Sequence, residues 1–169
     1  MLRALGRSGT ERAKSIAICV LAGLLLLALW QVATETGLAA HADQDRHGVL
    51  DVAQRFATAL TTYDYAHPNL QLVAVVAVSS IAVQERVTAA SSDIVAARAT
   101  SLGEVSDAVI TNLTASKAEV LLETTQVVGG GYAETGTMLR GLLEVTVRQS
   151  GRGWTVVNFR WLLAPSGSV

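Results

Sequence analysis

Within Thr62-Tyr63-Asp64-Tyr65 a carboxylate stands between two phenols, and His67 follows directly ahead of Pro68. An acid beside polar neighbours is what a small proton-transfer enzyme requires: a base of tuned pKa and a donor to stabilise the charge that develops. Asp107, in a stretch of strand-like alternation, is a second candidate base, and His67 is a third. Each of them also fits a structural role. Tyr-Asp-Tyr before His-Pro suits a helix terminus, with the aspartate taking local backbone hydrogen bonds and the tyrosines covering the core edge. Asp107 suits the water-facing side of an edge strand, and His67 a loop. No His–carboxylate or Ser–His pairing recurs at motif spacing, so binding is expected in place of catalysis.

Metal and phosphate chemistry is thinner still. Asp43, Asp45 and His47, followed by Gly48, copy the opening of a calcium-binding loop. His47 replaces an oxygen ligand, however, and Gln54 stands where the bidentate glutamate belongs, so a solvated hinge is the better fit. All three histidines precede residue 70, and the one cysteine, Cys19, sits inside an apolar run. No metal and no other cofactor is expected. Gly129-Gly130-Gly131 is followed by neither Lys-Ser/Thr nor a helix start, and reads as a flexible connection. Asn112-Leu113-Thr114 matches a glycosylation sequon, and Asn112 there suits the start of a turn.

The longest organising element lies upstream of these residues. Ser15 to Thr34 holds no charged residue and is mostly Leu, Ile, Val and Ala. As a helix it would be about 30 Å long, the hydrocarbon thickness of a bilayer. Residues 1–14 carry four cations and one anion, and the downstream side opens with Glu35, Asp43 and Asp45. That asymmetry predicts a cytoplasmic N-terminus and an exported C-terminal domain at the plasma (inner) membrane. A cleaved signal peptide is the rival, with Ala40-His41-Ala42 as its processing triplet, but the apolar run exceeds the ~7–15 residues of such a segment. Trp30 fits an interfacial anchor, while Ala17, Ala22, Gly23 and Ala28 give places for close packing against a partner helix. The rest of the chain carries nine cations and thirteen anions, which offers no footprint for nucleic acid. With no disulfide available, a hydrophobic core alone must hold the exported domain.

The predicted organisation is a basic tail (1–14), a transmembrane helix (15–34), a juxtamembrane linker or frayed helix end (35–48), an α+β domain (49–164) and a C-terminal tail (165–169). Val49, Val52, Ala53, Phe56, Ala57 and Leu60 mark one face of a first helix. A short helix or turn-helix is expected over Leu70–Val78. A third helix should run from an N-cap at Ser79-Ser80 to about Thr100, with Val83, Val87, Ala90, Ile94 and Ala97 inward. Four strands follow. Val105, Asp107 and Val109 alternate with Ser106, Ala108 and Ile110 in the first. Ala118, Val120, Leu122 and Thr124 point inward in the second, and Leu143, Val145 and Val147 share a face of the third. After a tight turn at Ser150–Gly153, the fourth places Val157, Phe159, Trp161 and Leu163 opposite Trp154, Val156, Asn158 and Arg160. Helices before strands imply helices packed on one face of a curved four-stranded antiparallel sheet.

This order, with Leu60-Thr61-Thr62-Tyr63-Asp64-Tyr65 closing the first helix and Gly153-Trp154-Thr155-Val156 opening the last strand, resembles the actinobacterial mammalian cell entry (Mce)-associated membrane proteins over nearly all of residues 15–163. The resemblance implies a nuclear transport factor 2-like domain, similar also to the periplasmic scaffold subunits of type IV secretion systems. It further implies a non-catalytic accessory subunit of an Mce lipid importer for fatty acids or sterols, bound to the membrane-embedded and periplasmic subunits and to the bilayer. A secretion or conjugation scaffold, a lipid-holding pocket and a small proton-transfer enzyme are the alternatives on the same fold.

Overall fold

Val49, Ala53, Phe56 and Ala57 recur at helical spacing and are all completely buried along one side of the first helix, α1, over residues 43–61. The computed structural model describes residues 43–130, 136–151 and 153–167, nearly all within one folded unit, Asp45–Val169. The expected span 15–34, with Ala17, Ala22, Gly23, Ala28 and Trp30, lies outside the described residues, among which no helix is long and apolar enough to cross a membrane. Residues 43–48, expected as a hinge or frayed end, are helical and continuous with α1.

After α1 come β1 (Tyr63–Asp64), α2 (Pro68–Val76) and α3 (Ile81–Ala96). Four long strands follow: β2 (Thr100–Leu113), β3 (Lys117–Gly129), β4 (Thr137–Ser150) and β5 (Gly153–Gly167). All pair antiparallel in sequence order, β1-β2-β3-β4-β5. The architecture is α+β, with helices against a curled antiparallel sheet. The sheet has five strands, not four, because the Tyr63-Asp64 pair leaves the helix and hydrogen-bonds to the start of β2, Tyr63 opposite Ser101. The end of the chain is also corrected: β5 continues through Pro165 to Gly167 where a tail was expected.

Inward residues of β3 and β4 follow strict alternation. Ala118, Val120, Leu122 and Thr124 are buried, and so are Leu143, Val145 and Val147. β2 and β5 depart from it for one reason, the β-bulge. In β2 the register slips between Val105 and Asp107 and again between Ile110 and Asn112. Val105, Ala108 and Ile110 therefore pack on the core while Asp107 and Val109 face out. In β5 the register slips opposite Thr146 and Val147, across Val157. Trp154 and Val156 on one side of the slip, and Phe159 and Trp161 on the other, thus join the same core, although alternation places them on opposite faces. Phe56 of α1 meets Phe159 at 5.3 Å between ring centroids, tilted by 56°.

α3 ends at Ala96, sooner than expected, in a left-handed residue. Arg98 has φ 50, Ala99 donates its N–H to Ile94 O (3.0 Å) and Arg98 to Val95 O (3.1 Å), the bonding of a Schellman cap. Only the first half of the predicted apolar face is used. Val83 and Val87 are buried, whereas Ala90 is exposed. Ser80 occupies the N-cap position without a side-chain capping bond. Its N–H instead donates to Val156 O (2.8 Å), while Val156 N–H donates to Val78 O (2.9 Å), tying the segment before α3 to the outer edge of β5.

Two outcomes follow. A Cβ at Gly103 would come within 2.0 Å of Thr61 Oγ1 and 3.0 Å of its carbonyl carbon. Gly103→Ala should therefore cost about 3 kcal/mol in urea unfolding, the upper end of overpacking effects. Arg98→Gly relieves a left-handed non-glycine residue and should raise stability by about 1 kcal/mol in the same measurement.

Candidate binding cleft

The segment that leaves α1 is built by hydrogen bonds of short reach. Thr61 is buried and returns its hydroxyl to Ala57 O (2.8 Å). Thr62 Oγ1 accepts from Gly103 N–H (3.1 Å) and lies 3.3 Å from Gly103 O, to which it can donate, so one side chain fastens the helix end to β2. Tyr65 N–H then donates to Ala99 O (3.1 Å). Asp64 closes the turn into α2: its Oδ1 accepts the Ala66 N–H (2.9 Å), and its Oδ2 lies 3.0 Å from His67 Nδ1. The aspartate has the local backbone bonds expected of a helix terminus. The His67 contact was not anticipated. Its only signal in the sequence is the three-residue spacing, which becomes a contact once the chain turns tightly at Ala66.

Beside this turn an open cleft of about 800 Å³ lies between the outward flank of α1, helix α2 and the start of β2. Asp51 and Arg55 of α1 sit on one wall, Leu70, Gln71 and Ala74 of α2 with Ala77 just after it on the other, and Thr62, Asp64, Ser101 and Leu102 at the closed end. Asp51 and Arg55 form an exposed i,i+4 pair at 3.5 Å, which contributes little to stability. Gln71 is buried, its Nε2 donating to Leu60 O (3.2 Å).

The chemistry available in the cleft is restricted. The His67 imidazole, then the Ala66 amide, hold the Asp64 carboxyl below its ordinary value of 3.8. A base for proton abstraction needs a shift in the other direction, towards neutrality. The hydroxyls at the closed end are already engaged: Thr62 with Gly103, and buried Ser101 with Gln126 Oε1 (3.3 Å). Asp107 is remote from the cleft, at an exposed bulge, where its carboxylate accepts the neighbouring Ala108 N–H (2.8 Å). Asp43, Asp45 and His47 lie on the helical turns that open α1, and among the described residues no group of three or more His, Cys, Asp or Glu side chains converges as a metal site. Trp154 is buried in the core, with its ring beneath Gly48, where an added Cβ would lie 3.1 Å from Cδ1. Of the motif residues, the structure thus brings Thr62, Tyr63 and Asp64 to the cleft, leaves Tyr65 at its exposed margin, and gives Trp154 a packing role.

No protein-family model matches the sequence, and no curated protein does. Solved structures match at the level of fold. A periplasmic fragment of TraM aligns with 9% identity and a TM-score of 0.58, over 70% of this chain and 98% of that one. CagV, a VirB8 homologue of the type IV secretion system of Helicobacter pylori, aligns with 9% identity and a TM-score of 0.54, over 68% and 96%. An IcmL-like type IV secretion system protein of Legionella pneumophila aligns with 17% identity and a TM-score of 0.54, over 74% and 96%. The chain therefore shares its fold with these domains across nearly their full length.

A carboxyl group with a lowered pKa supports the folded turn above its unfolded value, and that support is lost as pH falls through the folded one. The Asp64 side-chain carbon should accordingly titrate below pH 3.8 in an NMR series, and His67→Ala should move the midpoint back up towards 3.8.

Proposed function

We propose that this chain is a non-catalytic scaffold subunit of a type IV secretion-like assembly in a bacterial envelope, and that its α+β domain works outside the cytoplasm by binding other subunits. The observation that carries the reading is the fold shared with the TraM, CagV and IcmL-like domains over at least 96% of each of their lengths. The cleft supports it from the side of chemistry. Its acid is held ionised by a local turn, its hydroxyls are committed to structure, and its α2 wall is largely aliphatic. The interior that an enzyme of this fold would use for its substrate is filled by Phe56, Leu122, Leu143 and Val145, all completely buried. The uncharged run 15–34 supplies the tether, and the basic residues before it set the domain outside.

A second reading has its own observation. Leu60–Tyr65 and Gly153–Val156 are the segments by which the chain resembles Mce-associated membrane proteins, and an accessory role in a lipid importer is the proposal that follows from them.

One experiment separates the two. The tagged full-length chain is recovered from native membranes in mild detergent, and its companions are identified by mass spectrometry. Secretion-channel subunits and their ATPase are the expected companions. Mce subunits with a permease would transfer the protein to the lipid importer, and recovery of the chain with neither would overturn both assignments.

A further inference from the structure

The cleft beside α2 has an apolar wall and a charged end. From Tyr65 to Gln84 the chain has no Asp, Glu, Lys or Arg, so α2 brings no charge to it. Leu70 and Ala74 of α2, and Ala77 just after it, line that wall at i, i+4 and i+7, a stripe about 10 Å long at the helical rise of ~1.5 Å per residue. Formal charge in the lining lies with Asp51 and Arg55 of α1 and with Asp64 of β1, next to the turn where α2 begins.

These three groups are not equivalent. Arg55 is engaged by Asp51 at 3.5 Å. Asp64 has no Arg or Lys partner: its oxygens meet the Ala66 N–H and the His67 imidazole, and its side chain is 47% exposed. A carboxylate that solvent reaches and that no permanent cation neutralises will attract one. An anion entering the cleft would meet two carboxylates, and the guanidinium there is already engaged. Tyr63 stands in the same lining, and aromatic rings draw cations to their faces. The sign of the missing partner is therefore positive. Its size follows from the shape of the cleft, which is open. A small ligand is ordinarily buried over most of its surface, whereas a protein helix laid in an open groove keeps its far side in water.

We propose that the cleft receives a helix of another protein, with a lysine or arginine seated on Asp64 and aliphatic residues one and two turns further on laid against Leu70, Ala74 and Ala77. The site rests on the binding reading above and adds to it the chemistry of the partner. It is tested on the purified full-length chain in phosphatidylcholine nanodiscs, with empty discs subtracted. The probe is a labelled, helix-stapled peptide with leucines along one face and a lysine one turn before them, compared by fluorescence anisotropy with the same peptide carrying glutamine or glutamate in place of lysine. The lysine peptide should bind about 5-fold more tightly than the glutamine peptide, and the glutamate peptide most weakly. Asp64→Asn keeps an oxygen for the Ala66 N–H, so the turn is retained. It should weaken the lysine peptide about 5-fold and leave the glutamine peptide unchanged. Arg55→Ala releases Asp51 and should tighten the lysine peptide, a gain that no folding defect produces. Equal affinity for the lysine and glutamate peptides, no binding at millimolar concentration, or a lysine peptide indifferent to Asp64→Asn would overturn the site, as would weaker binding by Arg55→Ala. A chain that fails here yet recovers secretion subunits from membranes removes only this site, whereas selective lysine binding by a chain that recovers no companions removes the assembly and not the site.

Discussion

Everything in this fold hangs on how closely α1 can approach β2. Thr61 sits where the side chain of residue 103 would be, and only glycine leaves that space free. The contact makes Thr62 a two-way hydrogen-bond partner of Gly103, which fixes where the helix stops and where the chain turns to form β1. From that point the register of Tyr63 against Ser101, the tight turn at Asp64 and the direction of α2 all follow. Moving the helix outward by the width of a methyl group would disturb the contact by which Phe56, fully buried, meets Phe159 at the margin of the core.

The same geometry bears on what the domain does. A fold of this type can enclose a substrate between helices and sheet, but here α1 fills that space with Phe56 and the β-branched residues around it. Polar groups displaced from the interior are satisfied locally. Among the described residues no buried side-chain nitrogen or oxygen lacks a hydrogen-bond partner. What remains open is on the outside, on α2 and the cleft beside it. The surface there is largely aliphatic, with Leu70, Val73 and Val76 exposed.

Much of this was legible in the sequence, and the misses share a cause. α1 from Val49 onward, the inward faces of β3 and β4, and the turn at Ser150–Gly153 follow their hydrophobic period without interruption and were readable, whereas the first turns of α1, over residues 43–48, were not. β2 and β5 were not, because each bulge inserts one residue and swaps the faces beyond it, as Val105 with Ala108 and Val156 with Phe159 demonstrate. Alternation carries no mark of where such a slip falls. The fifth strand escaped notice because two residues are too few to show a period, and the Asp64–His67 contact because it exists only once the turn is formed. The α2 wall of the cleft was hidden for the opposite reason. An aliphatic helix looks like core in a sequence, and its exposure is a tertiary fact.

The bulges have a further consequence, for how the sheet meets other chains. Beyond Ser101, β2 has no strand on its outer side among the described residues, so a long row of backbone groups is open to pairing with another chain. Two slips in that row bend and twist it, so that no flat ribbon is presented for a stray strand to zip onto. At the far side of the sheet, residues 78–80 occupy the hydrogen-bonding positions of Val156. The irregularities that obscure the strands in the sequence are thereby the features that keep this sheet from growing into an aggregate.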